Sequence, residues 1–131
     1  MKLSFLLLLV FPLFTSAQIN IQSKETKPEI KFEEYEYNFG TVTEDTVIIH
    51  EYVFSNTTRT PLIVTDTHGT CHCIVTEFTE VPLAKNQKGK IKVSFDTKGR
   101  VGKQEKTVTV NSNAKTGQVI LYLKGEVKAK N

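Results

Sequence analysis

The sequence predicts an all-β fold, a two-sheet antiparallel sandwich of about seven strands. Three observations carry this expectation. Apolar and polar residues alternate at period two through most of the chain, the spacing of a strand with one buried face. No stretch sustains the 3.6-residue apolar stripe of a helix. Turn-forming residues interrupt the alternation at short intervals: Asn56-Thr57-Thr58, His68-Gly69, Lys88-Gly89, Lys98-Gly99, Asn111-Ser112-Asn113 and Thr116-Gly117.

The first element is not a strand. Behind Lys2, residues Leu3 to Phe14 are almost wholly apolar, broken only by Ser4 and Pro12, and Thr15-Ser16-Ala17 follows with small side chains. An apolar run of about a dozen residues is too short for the ~20 of a spanning helix and matches an export signal cut after a small residue. Polar sequence follows at once, from Gln18 to Lys24, and no cysteine stands there to take a lipid. The expected organisation is a signal peptide over 1–17, a flexible leader over 18–28, one sandwich domain over 29–127 and a tail over 128–131. The expected address is extracytoplasmic, periplasmic or secreted, with no membrane insertion after signal cleavage.

The strands follow in order. Ile30 and Phe32 alternate with charged neighbours, and Tyr35, Tyr37 and Phe39 extend the pattern to Gly40. Val47 to Phe54 sets Ile48, His50, Tyr52 and Phe54 on one face. Leu62-Ile63-Val64, after Pro61, reads as a short and heavily buried strand. Ile91, Val93 and Phe95 share a face opposite Lys90, Lys92 and Ser94, and Val108 with Val110, then Val119, Leu121 and Leu123, repeat the scheme. One face of each sheet then fills a shared core while the lysine-rich face meets water.

A net charge of +3 is too small to predict a strongly charged partner. The basic residues Lys85, Lys88, Lys90, Lys92, Lys98, Arg100, Lys103 and Lys106 gather in the second half. They read as a solvated sheet face with protected edges, the alternative being attachment to anionic envelope polymers. Nucleic acid is excluded for want of a recognition helix or a platform of stacked aromatics.

Specific chemistry, if present, centres on Cys71-His72-Cys73, which holds both cysteines of the chain. Outside the cytoplasm such a pair oxidises, binds a metal or is buried. In an extended strand residues two apart lie ~6.6 Å from each other, too far for a disulfide, so a Cys71–Cys73 bond requires a sharp turn. If formed, a strained bond of this kind is easily reduced, a redox property more than a staple. Two thiolates with the imidazoles of His68 and His72 suit copper(I) or zinc(II), although the spacing is not that of a standard zinc site. The third reading treats Cys71, Cys73 and Val75 as small core residues on one strand parity. His50, between Ile48 and Tyr52, reads as a hydrogen-bonded, partly buried histidine.

Tyr37-Asn38-Phe39-Gly40, the strand from Val47 to Asn56, Thr60-Pro61-Leu62, Cys71-x-Cys73, Lys88-Gly89 and Ile91-x-Val93-x-Phe95 occur in a recognisable order. Over residues 30 to 127 the chain resembles a widespread bacterial family of exported domains of unknown function. That family is related to the immunoglobulin-like sandwiches of the major sperm protein type. Its members typically carry Ser-Cys-Gly-Cys-Thr where this chain has Thr70-Cys71-His72-Cys73-Ile74, and Pro-Gly where it has Lys85-Asn86-Gln87. The resemblance implies an immunoglobulin-like fold and a bacterial, exported address, with no established activity.

Enzymatic signatures are lacking: there is no Gly-x-Ser-x-Gly elbow, no His-Glu-x-x-His pair and no phosphate-cradling glycine loop. Glu33, Glu34 and Glu36, beside Tyr35 and Tyr37, read as a solvated charged face, and Asn56-Thr57-Thr58, though a glycosylation sequon, as a turn. The sequence therefore predicts a non-catalytic binding or assembly module without a cofactor. Its partner would be an unidentified protein or envelope component, held through a sheet edge or the loops 55–61, 66–73 and 84–89. The alternative is a soft-metal or thiol-redox protein using Cys71 and Cys73 with His68 or His72.

Overall fold

The structure, a computed structural model, describes residues 8–20 and 26–131. The expected signal peptide (1–17) and leader (18–28) fall partly outside the described residues. Residues 8–20 carry no strand or helix and are exposed. Among the described residues no helix is long and apolar enough to cross a membrane.

Eight strands form the domain: β1 (Ile30–Phe32), β2 (Glu36–Thr43), β3 (Val47–Asn56), β4 (Val64–Gly69), β5 (Ile74–Phe78), β6 (Lys88–Asp96), β7 (Gly102–Ser112) and β8 (Gln118–Lys128). One sheet has the order β1-β3-β6-β5 and the other β2-β8-β7-β4. The all-β sandwich expected from the alternation is the fold observed. Its core is built by the expected inward positions: Ile91, Val93, Phe95, Val108, Val110, Leu121 and Leu123 are each at most 1% exposed. Burying each such side chain contributes roughly 1.5–3 kcal/mol relative to leaving it in water.

One pairing departs from the antiparallel expectation. The chain leaves the first sheet after Phe32 and crosses to the second, where β2 pairs with β8 in parallel. A crossing between sheets, unlike a hairpin, does not force reversal of direction, so alternation alone could not reveal it. The β2–β8 register slips between Asn38 and Thr41, where Gly40 takes a φ of 72° and donates its N–H to Asn38 Oδ1 at 2.8 Å. Within the slip Phe39 lies over Gly125, where a Cβ would overlap its ring.

Leu62-Ile63-Val64 is not a strand of its own. Leu62 forms an isolated bridge to Leu83, Ile63 is 36% exposed, and β4 begins only at Val64. Ile63 N donates to Asn113 Oδ1 at 2.8 Å, so a side chain takes the place of a ladder partner here. The Asn56 sequon is likewise structural. Asn56 is fully buried, its amide donates to Thr60 O (2.8 Å) and Leu83 O (2.9 Å), and its Oδ1 accepts from Thr58 N and Thr58 Oγ1. Asn86 takes a φ of 67°, a left-handed conformation that asparagine tolerates.

Candidate functional site

β4 and β5 belong to different sheets, and the chain crosses between them through Thr70–Cys73. Thr70 N donates to Thr107 O (3.1 Å), Ile74 N to Cys71 O (3.2 Å), and Asp96 N to Cys73 O (2.9 Å). The middle bond closes a β-turn with His72 and Cys73 at its centre. The described non-glycine residues with positive φ are Asp45 and Asn86, so His72 sits in this turn without a left-handed backbone. Two hydroxyl bonds clamp the flanking strands, from Thr67 Oγ1 to Thr76 Oγ1 (2.8 Å) and from Thr76 Oγ1 to Thr67 O (3.3 Å). Gly69 permits their close approach, because a Cβ there would stand 2.6 Å from Ile74 Cβ.

This turn brings Cys71 and Cys73 to a Cα–Cα distance of 5.2 Å, and a disulfide joins them. The extended-strand geometry that argues against the bond therefore does not hold here. The strand-parity reading also fails: Ile74 is the buried residue at 8% exposure, while Val75 is 63% exposed. Cys71 and Cys73 are half-buried against the margin of the core. Closing so short a loop removes only ~1.6 kcal/mol of unfolded-chain entropy, against ~3 for a fifteen-residue loop. The bond is a minor contributor to stability.

Cys71 opens onto a shallow depression with His68, Thr70, His72 and Thr76. Cys73 opens onto another with Val47, Val75, Asp96, Lys98 and Arg100. His68 is exposed, its Nδ1 3.4 Å from Asp66 Oδ2. The structure thus gathers His68, Cys71, His72 and Cys73 around one turn. Both sulfurs are engaged in the disulfide, so copper or zinc ligation by them requires its reduction first. Among the described residues no three His, Cys, Asp or Glu side chains form a group suited to a metal ion.

His50 belongs to a separate cluster. Its ring stacks on Tyr37 (centroids 3.6 Å apart, planes 5°), meets Tyr52 edge-on at 4.8 Å, and its Nε2 bonds Glu34 Oε1. Tyr52, fully buried, donates its hydroxyl to Tyr122 O at 2.5 Å across the sandwich. Burial, with the charges of Glu34 and Glu36 and then Tyr37 beside it, pushes the Tyr52 phenol well above its ordinary 10.0. His50 is the hydrogen-bonded, partly buried histidine expected from its place between Ile48 and Tyr52, and its partners are these. The neighbouring carboxylates are spoken for as well: Glu33 meets Lys88 at 2.8 Å and Glu36 meets Lys124 at 3.3 Å. In the lysine-rich half Lys90 pairs with Glu51 at 3.3 Å, which with Lys88 reduces the charge a polymer would meet.

A further feature escaped the sequence. β1 covers only Phe54–Asn56 of the ten-residue β3, with one added bond from Glu33 N to Val53 O. The bonds Asn56 N to Gln87 O and Thr97 N to Thr46 O point the even-numbered residues of this stretch toward β6. The backbone groups of Val47, Ile49 and Glu51 therefore face outward, and among the described residues no strand pairs with them. Val47 is 53% and Ile49 57% exposed. By contrast, register irregularities interrupt β2 and β4 at the other sheet's edges, a usual protection of edges. The three expected contact loops divide between the ends: 55–61 and 84–89 meet through Asn86 N to Asn56 O (2.7 Å), while the 70–73 turn lies level with Asp96 at the opposite end of β6.

The family described as "Protein of unknown function (DUF1573)" matches residues 30–127. Curated proteins gave no match. Among solved structures, a protein of unknown function from Porphyromonas gingivalis W83 superposes with a TM-score of 0.66 at 7% identity, over 77% of this chain and 47% of that one. The ASH / PapD-like domain 7 of human CEP192 gives 0.62 at 13% identity, over 100% of this chain and 99% of that one. The secreted serine protease VesC from Vibrio cholerae gives 0.58 at 15% identity, over 76% of this chain and 23% of that one. The chain thus spans about half of the Porphyromonas protein and about a quarter of VesC. At these identities the likeness is one of fold, an immunoglobulin-like or PapD-like sandwich.

Proposed function

This chain belongs to the family described as protein of unknown function (DUF1573), and from that premise we propose that it is a non-catalytic binding or assembly module of the bacterial cell envelope, exported by the 1–17 signal. The carrying observation is the open stretch of β3. Its outward backbone groups at Val47, Ile49 and Glu51 offer a ladder for an added strand, which would extend the row that β1 begins at Phe54–Asn56. The occupant is an extended segment of a partner protein, with apolar residues at alternate positions to cover Val47 and Ile49.

The test places a photo-crosslinking residue at Val47 or, as a control, at Ile120, which is exposed on the other sheet. Crosslinks confined to Val47 and mapping to one partner segment are expected, with Ile49→Pro abolishing them. The Ile49 N–H points away from β6, so proline there spares the pairing within the sheet. Equal crosslinking at Ile120, or capture untouched by Ile49→Pro, refutes the reading. Cell fractionation checks the address: recovery of the mature chain in the cytoplasm overturns it.

A further inference from the structure

We propose that the Cys71–Cys73 disulfide is a thiol–disulfide exchange centre that oxidises a pair of thiols on a partner protein, with Cys71 the sulfur attacked and Cys73 the sulfur released. The inference stands on the turn and the charges around it and does not rest on the strand-addition reading.

First, the turn does not depend on the bond alone. The hydrogen bonds Thr70 N to Thr107 O, Ile74 N to Cys71 O and Asp96 N to Cys73 O also hold its backbone, so the disulfide is not its only restraint. A disulfide spanning a sequence separation of 2 adds little as a staple. Secondly, both sulfurs are accessible, since each residue is half-buried and lines an open depression. Thirdly, the two depressions differ in charge. Lys98 and Arg100 line that of Cys73 against the single carboxylate of Asp96. Among the described residues no ion pair engages either cation. The depression of Cys71 shares His72 with that of Cys73 and adds His68 and hydroxyls, with no lysine or arginine.

Exchange is faster when the departing sulfur is the more stable thiolate, and nearby cations stabilise a thiolate. Departure of Cys73 toward Lys98 and Arg100 is therefore favoured. An approaching thiol enters the depression that Cys71 shares with His68, whose Nδ1 lies 3.4 Å from Asp66 Oδ2.

The chemistry balances as follows. A partner thiol gives up its proton and its thiolate attacks Cys71 Sγ. The Cys71–Cys73 bond breaks, a mixed disulfide forms at Cys71, and Cys73 leaves as a thiolate and takes up that proton. The partner's second thiolate then attacks its own sulfur in the mixed disulfide, and Cys71 leaves and is protonated in turn. The partner loses two electrons and two protons and becomes a disulfide, and the pair gains both. Each molecule carries one disulfide, accepts two electrons once and acts stoichiometrically.

The probe is a reduced peptide with two cysteines, mixed with the oxidised, exported protein and quenched by alkylation for intact mass. The expected result is one peptide disulfide formed per protein reduced. The Lys98→Glu, Arg100→Glu variant should exchange about tenfold more slowly, with unchanged thermal midpoint. In single-cysteine variants, Cys71→Ser should leave a Cys73 thiol that reacts with a neutral dipyridyl disulfide at lower pH than the Cys71 thiol left by Cys73→Ser. A peptide that stays reduced overturns the proposal, as do two free thiols in protein isolated from its own compartment. Equal pH profiles for the two thiols, or no effect of the charge reversal, overturn the assignment of Cys71 and Cys73 to their roles.

Discussion

Two regions of this molecule set histidine among other reactive side chains, and they differ in what is left over. At His50 the ring is stacked, edged and hydrogen-bonded by Tyr37, Tyr52 and Glu34, within a cluster whose phenol reaches Tyr122 across the sandwich. At His72 the neighbouring sulfurs are bonded to one another and their residues line open depressions. Satisfied polar groups stabilise a fold and do little else, whereas an accessible bond between two sulfurs remains able to react. The difference teaches that chemistry should be sought where polar groups are exposed and only half-supported by packing.

Four substitutions test that division. The largest effect should come from Tyr52→Ala, which empties a fully buried site and removes its bond to Tyr122 O. A loss of about 3–5 kcal/mol in a denaturant titration is expected, and a loss under 1 would dissolve the idea of a structural cluster. Next is Gly69→Ala, whose Cβ meets Ile74 at 2.6 Å. It should cost about 1–3 kcal/mol and slow exchange at the disulfide by displacing the turn, so an unchanged rate would detach the turn from the strands beneath it. Cys71→Ser with Cys73→Ser should cost ~1.6 kcal/mol or less. A cost above 3 in the same titration would make the bond a staple and erase the contrast.

The smallest effect at neutral pH belongs to Tyr52→Phe, about 1 kcal/mol for one hydrogen bond. Its pH dependence is more telling. The folded phenol lies above its unfolded value of 10.0, so the folded state holds its proton more tightly. The corresponding stability is fully present below pH 10 and is lost as pH rises from about 10 toward the folded value. Melting curves should therefore show native protein losing stability above pH 10 faster than the phenylalanine variant. Parallel curves would mean that Tyr52 ionises equally in both states.

Most of the fold could be read from alternation, because inward residues such as Ile91, Val93 and Phe95 repeat at period two whatever their partners are. Direction of pairing could not, since Tyr37 and Phe39 alternate equally well beside a parallel or an antiparallel neighbour. At the candidate site the residues were visible and their state was not. Cys71 and Cys73 look like a strand pair until Thr70, Ile74 and Asp96 supply the hydrogen bonds that bend the chain there. The open edge of β3 could not be read. The alternation of Ile48, His50, Tyr52 and Phe54 already turns the Ile49 side chain outward, but only the departure of β1 after Phe32 leaves the backbone beside it unpaired.

The parallel alignment of β2 with β8 has a mechanical consequence. Tension entering ahead of β2 and leaving beyond β8 pulls the two neighbours past one another lengthwise. The bonds across their register, from Glu36–Tyr122 to Thr43–Lys128, then share the load together instead of opening one by one like a zip. In a single-molecule pulling experiment the domain should yield abruptly at one high force, and the strand added last to the second sheet would act as its latch.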